Sequence, residues 1–188
     1  MVSIKERGVF VFRVYDSDGN LIEEKTANNA LTSQGSGRLF KLAFVSATTG
    51  SETGSTDEAY VGLIDNSSFS SISADDVATD IRQTGGSLVN GWFEISDTTY
   101  NSGTRKEGTF GVTDNSGTVT ASKATWTDAT FTFASSHTLK GAFLANDAAV
   151  GQNSGANDAL FATAIFSSGT IAVDSTTTLK VTFEMSLS

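Results

Sequence analysis

The chain has 188 residues, the length of one ordinary domain, and its 21 acidic residues against 12 basic ones give a formal net charge of −9. No cluster of basic residues is longer than Arg105-Lys106. Because nucleic-acid binding needs concentrated positive charge, a nucleic-acid partner is excluded. Cysteine and proline are both absent, so disulfides and thiolate metal sites are excluded and turns must rely on Gly, Asn and Asp. The charged segment Met1–Arg7 lacks the apolar core of a signal peptide and no run of 18 apolar residues occurs, so we expect a soluble, unexported protein with no membrane partner.

The first predicted element is a β-hairpin. Gly8–Tyr15 is rich in β-branched and aromatic residues, the turn Asp16–Asn20 contains Asp-Gly, and Leu21–Ala27 follows. Asp-Gly supplies the positive φ that a tight turn requires, so the two runs should pair antiparallel.

The same turn has the spacing of half a calcium loop. Asp16, Asp18 and Asn20 match the first three ligands of such a loop, but the twelfth position, where a bidentate Glu is needed, is Ala27. We therefore predict a plain turn.

Two helices are predicted between the first hairpin and the middle of the chain. In Arg38–Val45 the apolar residues fall on one helical face, and either Thr32 or Ser36 caps the start. A second, small helix is predicted after Ser73, which stands three residues before Asp76 as in a capping box.

The pair Asp75-Asp76 resembles a carboxylate dyad for acid and base chemistry. In the first turn of a helix, however, acidic residues are explained by the helix dipole. We interpret the pair as a structural feature of the second helix.

Eleven short strands are predicted in all, including the two of the hairpin. After the hairpin they are Ala59–Ile64, Gly91–Ile95, Thr109–Thr113, Thr118–Trp126, Thr130–Ala134, Thr138–Ala145, Leu160–Phe166, Ile171–Val173 and Thr178–Ser188. Turn signals rather than helices separate them, and this favours an antiparallel sandwich or barrel over a βαβ fold. Of these we predict an antiparallel, jelly-roll-like β-sandwich. We expect one domain over residues 1–188, with residues 1–7 as an N-terminal arm.

The last strand is the clearest of these. Every second residue from Leu179 to Leu187 is apolar, so one row of side chains should face the core. A strand this long should be paired centrally in the fold or completed by another chain.

No residue pattern indicates catalysis. The only histidine, His137, lies in a Ser-Ser-His-Thr connection between two strands, where a solvated connector is the simpler interpretation than a catalytic base. Carboxylates are scattered through loops, so no glycosidase pair is selected. Trp92 and Trp126 lie in strand-like segments, which favours core or interface anchors over sugar-stacking platforms. We predict a non-enzyme without catalytic, cofactor-binding or metal-binding residues and without a cofactor.

Eight stretches follow one another along the chain, namely GVFVFRVYDSDGNLIEE, NNALTSQG, YVGLID, GWFE, ATWTDATFTF, LKGAFL, LFATAIF and TLKVTFEMSL. Together, in this order, they resemble small structural proteins of tailed bacteriophage virions. The resemblance covers most of the chain, and it consists of strand and turn patterns rather than catalytic motifs.

The resemblance implies a capsid decoration, or cement, protein on the outer surface of the phage head, made in the host cytoplasm. Its partners would be the major capsid protein and further copies of itself, as a homotrimer or another homo-oligomer. The contacts are expected in the N-terminal arm, at Val2, Ile4 and Arg7, and in loops around Thr53 and Asn153. The alternatives are a tail or fibre-associated protein that binds host glycan and, third, a polysaccharide-cleaving enzyme.

Overall fold

A computed structural model describes residues 6–33, 35, 60–84, 86, 91–97, 100, 105–107, 109–113, 122–151 and 159–187. Strands account for 53% of the chain, so the prediction of a mostly antiparallel β protein is confirmed. The described strands are β1 Glu6–Tyr15, β2 Leu21–Leu31, β3 Tyr60–Asp65, β4 Phe93–Glu94, β5 Lys106–Glu107, β6 Thr109–Thr113, β7 Ser122–Thr132, β8 His137–Ala145, β9 Leu160–Ile165, β10 Ile171–Val173 and β11 Thr178–Leu187.

The strands form one continuous, curled sheet. Their order is β4-β3-β8-β9-β2-β1-β11-β7-β6, with β10 paired to β8 and β5 paired to β3. Each pairing between these named strands is antiparallel. The division into two separate sheets that defines a sandwich, and the jelly-roll order, remain predictions. Within the described part of the chain, no helix is long and apolar enough to span a membrane.

The last strand, β11, lies in the interior of the sheet. It pairs with β1 from Thr178 to Leu187 on one side and with β7 on the other, so the prediction of central pairing is confirmed. Leu179, Val181 and Phe183 are buried, as their alternation predicts. Thr182, on the opposite face, is also buried.

The hairpin of β1 and β2 has the predicted turn. The carboxylate of Asp16 accepts hydrogen bonds from the backbone N–H groups of Asp18 and Asn20 at 2.9 and 2.8 Å. The bonds from Asn20, followed by those from Asp18 and Gly19, lower the pKa of Asp16. The carboxylate therefore stabilises the turn, and no group of three potential metal ligands exists among the described residues.

Two predicted strands are one in the structure. Thr118–Trp126 and Thr130–Ala134 were expected to be separated by a turn, but β7 runs from Ser122 to Thr132. Asp128 adopts a positive φ of 61°, and the pairing with β11 shifts register opposite it, between Val181 and Phe183. A β-bulge thus replaces the expected turn.

The second predicted helix is wrong. Only a three-residue 3₁₀ helix, Ala78–Asp80, is formed in this region. The Asp76 carboxylate accepts the Ser73 N–H at 2.9 Å, and Asp80 accepts the Val77 N–H at 3.1 Å, so each acid closes its own local turn instead of starting a common helix. The first predicted helix, at 38–45, lies outside the described residues.

The predicted N-terminal arm extends too far along the chain, because its last two residues belong to a strand. Strand β1 begins at Glu6, and Glu6 and Arg7 pair with Leu187 and Ser186 of β11. These two residues belong to the sheet because β11 is long enough to extend their ladder.

The main hydrophobic core gathers buried side chains from strands along much of the sheet. Phe12 of β1 meets Phe166, which follows β9, edge-to-face with ring centroids 4.7 Å apart. Phe10 packs on Phe183 at 4.6 Å, which joins β1 to β11. A second cluster surrounds Trp92 and Phe143, whose centroids are 5.2 Å apart.

Close packing at Gly62 yields a stability prediction. A Cβ atom at Gly62 of β3 would lie 2.1 Å from the ring of Phe143 on β8. That ring is fully buried against Trp92 and cannot swing away. We expect Gly62→Ala to lower the free energy of unfolding by about 1–3 kcal/mol, the usual cost of overpacking.

The matched control is Gly8→Ala in β1. There the three atoms nearest the added Cβ belong to the side-chain amide of Asn29, a half-buried residue whose Nδ2 forms no hydrogen bond within the described structure. Urea denaturation should show a smaller loss for Gly8→Ala than for Gly62→Ala. Equal losses would contradict the importance of the fixed Phe143 ring.

Candidate functional site

A fully buried ion pair lies beneath the loops at one end of the sheet. Nε and Nη2 of Arg105 donate to Oε1 and Oε2 of Glu94, each at 2.9 Å, and both side chains have zero exposure. This bidentate geometry is the strongest form of charge-assisted hydrogen bond. Burial alone would lower the pKa of Arg105, but the charge and hydrogen bonds of Glu94 raise it.

The surrounding segments form further hydrogen bonds with both members of the ion pair. The hydroxyl of Tyr100 donates to Glu94 Oε1 at 2.7 Å, and the N–H of Gly151 donates to Oε2 at 2.6 Å. Arg105 donates to the carbonyls of Asp147 and Gly151, both at 2.9 Å. The segment from Asp147 to Gly151 is therefore fixed to the protein interior.

A second polar cluster surrounds Asp97, just after β4. Its fully buried carboxylate accepts the backbone N–H groups of Tyr100, Ala134 and Ser135 and the Ser135 hydroxyl, at 3.0 to 3.2 Å. His137 Nε2 lies 2.8 Å from Asp97 Oδ2, and its side chain is 14% exposed. The cluster fastens the segment after β4 to the turn between β7 and β8.

Ser135, His137 and Asp97 have the composition of a catalytic triad but not its geometry. In a triad the acid bonds to one ring nitrogen of the histidine and the nucleophile to the other. Here Ser135 Oγ, at 3.1 Å, and Asp97 Oδ2 both contact Nε2. Rotating the His137 imidazole by 180° would still leave Ser135 and Asp97 at the same edge of the ring. This arrangement therefore has no path for proton transfer from Ser135 through His137 to Asp97.

His137 also borders an open cleft of about 510 Å³. Its walls come from the end of β3 at Asp65, the start of β8 at Thr138, and the end of β10 with Asp174 behind it. Thr138 is central because its carbonyl accepts the Asn66 N–H at 2.8 Å and it pairs with Ala172 of β10. Among the described residues, this cleft brings His137 together with Asp65 and Asp174.

No family model, curated protein or solved structure matches this chain. The function of this chain must therefore be inferred from its own geometry.

The structure separates the residues considered earlier. Trp92 is buried and donates from Nε1 to Asp76 Oδ2 at 2.9 Å, so it is a core anchor as predicted. Asp75 is exposed and accepts the Ser33 hydroxyl, so the two aspartates serve different structural purposes and form no dyad. The side chains of Trp126 and Arg7, and the residues Val2, Ile4, Thr53 and Asn153, lie outside what the structure describes.

Sequence reasoning missed the residues that organise this region. Glu94, Asp97 and Arg105 are spaced 3 and 8 positions apart and lie in short or irregular segments with no periodic pattern. The one available signal was Glu94 itself, an acid between the apolar residues Phe93 and Ile95 in a predicted strand.

The buried phenol of Tyr100 gives a prediction for alkaline pH. Burial, and then the charge of Glu94, raise the pKa of Tyr100 well above its ordinary value of 10.0. Above about pH 10 the unfolded chain loses a phenol proton that the native protein keeps, so stability present at neutral pH is lost as pH rises.

The free energy of unfolding should consequently fall more steeply between pH 9 and 11 in the wild type than in Tyr100→Phe, as measured by urea denaturation. Native phenolate absorbance at 295 nm should be the same in both proteins over this range. An extra tyrosine titrating in the native wild type would contradict the burial of this phenol.

Proposed function

We propose that this chain is a non-enzymatic structural protein of a tailed-phage virion, and specifically a decoration protein that binds the outer surface of the assembled head. The partners would be the major capsid protein and other copies of the chain, such as a trimer. One support is that the stretches that carry the resemblance cover all or most of eight of the described strands, namely β1–β4, β7–β9 and β11. The resemblance thus concerns a shared sheet and not scattered surface residues.

The observation that carries the proposal is the antiparallel pairing of β1 with β11. Ten consecutive residue pairs join β1 to β11, from Glu6 with Leu187 to Tyr15 with Thr178, and both strands have a further partner on their other side. Both strands therefore lie in the interior of the sheet, where opening either one means breaking two ladders of backbone hydrogen bonds. A protein that must withstand stress on a pressurised shell benefits from this arrangement.

The finer fold assignment forms part of the same proposal. We propose that the two halves of the curled sheet act as the layers of a jelly-roll-like sandwich. The contact of Phe12 with Phe166, and the stacking of Tyr100 on Phe131 at 5.6 Å, support face-to-face packing of the halves.

The mechanism would be thermodynamic linkage. A protein that binds only the assembled, expanded lattice shifts the equilibrium toward that lattice and makes the particle harder to disrupt. The net charge of −9 suits an outer surface, away from packaged DNA. The contacts are proposed at Val2 and Ile4 and in the loops around Thr53 and Asn153, the last of which follows the anchored Gly151 by two positions.

The test compares particles with and without the chain. Quantitative mass spectrometry of wild-type particles should give hundreds of copies per virion. Particles that lack the chain should lose infectivity at lower temperature and after milder osmotic shock, while adsorption to host cells stays unchanged.

Adding the purified protein back to the deficient particles should restore resistance, which serves as the control for indirect effects of the deletion. A dozen copies or fewer, with lost adsorption and normal heat resistance, would instead support the tail or fibre alternative. Host polysaccharide hydrolysis by the isolated chain would support the enzyme.

A further inference from the structure

The cleft beside His137 is lined by groups that accept hydrogen bonds. Asp65, Asp174 and His137 line it, together with the polar residues Asn66, Ser67 and Thr138. Its volume of about 510 Å³ lies within the range of small-molecule sites. Among the described residues, no aromatic side chain other than that of His137 lines it, so they offer a sugar ring no stacking platform.

The contacts of His137 determine which of its nitrogens faces a ligand. Asp97 accepts hydrogen bonds from backbone N–H groups and from the Ser135 hydroxyl, so it accepts from Nε2 as well. The neutral imidazole therefore has its proton on Nε2 and a lone pair on Nδ1. Nδ1 bonds to no residue in the described part of the chain, so the neutral ring keeps an unused acceptor on a residue that lines the cleft.

The two carboxylates of the cleft lack positive partners. The hydroxyl and N–H of Thr176, with further bonds from Thr177, lower the pKa of Asp174, which is therefore charged at neutral pH. Asp65 accepts from the Ser67 N–H at 2.8 Å and from the Thr84 hydroxyl at 2.6 Å, which are both neutral donors. Within the described residues, neither carboxylate forms an ion pair with Lys or Arg.

We propose that this cleft binds a positively charged nitrogen group, a primary ammonium or a guanidinium, through Asp65, Asp174 and Nδ1 of His137. Such a group carries several N–H donors and no acceptor, which matches a cleft whose lining includes Asp65, Asp174 and His137. Two sources share this chemistry, namely a free polyamine and a Lys or Arg side chain of a partner protein. The site does not depend on the virion assignment, because its argument uses only the cleft.

The experiment is an NMR titration of the ¹⁵N-labelled full chain at pH 8 and low salt. The probes are methylammonium, methylguanidinium, spermidine and the blocked tripeptide acetyl-Gly-Lys-Gly-amide, with tetramethylammonium and glucose as controls. We expect saturable shifts of the His137 ring Nδ1 and of the Asn66 and Ala172 amides with the N–H-bearing cations. The two controls should produce no saturable shift.

Asp174→Asn tests the site without disturbing the fold, because the amide oxygen of Asn can still accept the bonds from Thr176. Removing one charge near the ligand should weaken binding about fivefold, the factor that corresponds to ~1 kcal/mol between charges about 4 Å apart in water. The matched control is Glu107→Gln, which changes net charge equally. Glu107 is exposed and pairs with Tyr60, at the opposite end of β3 from Asp65, so its loss should leave affinity unchanged.

Equal weakening by the two substitutions would overturn the proposal, since it would indicate unspecific attraction to an acidic protein. Binding of glucose in preference to the cations would overturn it as well, and so would the absence of shifts with every probe. If the tripeptide binds at least tenfold more tightly than methylammonium, the proposal is supported with a protein side chain as the source. Tighter binding of spermidine than of the tripeptide supports it with a free polyamine.

Discussion

The guanidinium of Arg105 and the carboxylate of Glu94 meet in the interior of the protein with no exposure to solvent. Removing two charges from water is costly, and this cost is offset only where every remaining donor and acceptor is satisfied. Here Tyr100, Gly151 and the carbonyl of Asp147 complete the network. The ring of Phe143 lies 4.9 Å from the guanidinium carbon and adds a cation–π contact. One pair of side chains thus joins β4, the segment before β5 and the connection after β8.

The same polar chain continues toward the surface. Tyr100 donates its hydroxyl proton to Glu94, and its backbone N–H donates to Asp97. Asp97 in turn fixes the turn at Ser135 and the ring of His137. The interior ion pair and the rim of the cleft are therefore successive parts of one network. The long strands β1 and β11 provide a continuous sheet through their backbone bonds, whereas the short elements at this end depend on side-chain contacts.

Sequence patterns predicted the parts of the fold in which local preference and burial agree. Alternation located β11 and its buried row, and Asp-Gly located the first turn, because both signals reside in neighbouring residues. The small helix after Ser73 failed because acids that suit a helix start also close separate turns, as Asp76 and Asp80 do. The site escaped prediction for a different reason. Asp97 and His137 are 40 positions apart, and only the sheet order brings them together.

The buried pair of Arg105 and Glu94 stabilises this end of the protein. A double-mutant cycle measures this stabilisation most directly. We predict that Arg105→Met costs about 3–5 kcal/mol of unfolding free energy, because it strands a buried carboxylate. With Glu94→Gln, the double variant should give a coupling energy of about 2 kcal/mol or more. The exposed pair of Arg13 and Glu24, with an N···O distance of 2.7 Å, is the matched control and should couple by no more than about 1 kcal/mol. Equal coupling in the two pairs would contradict the account.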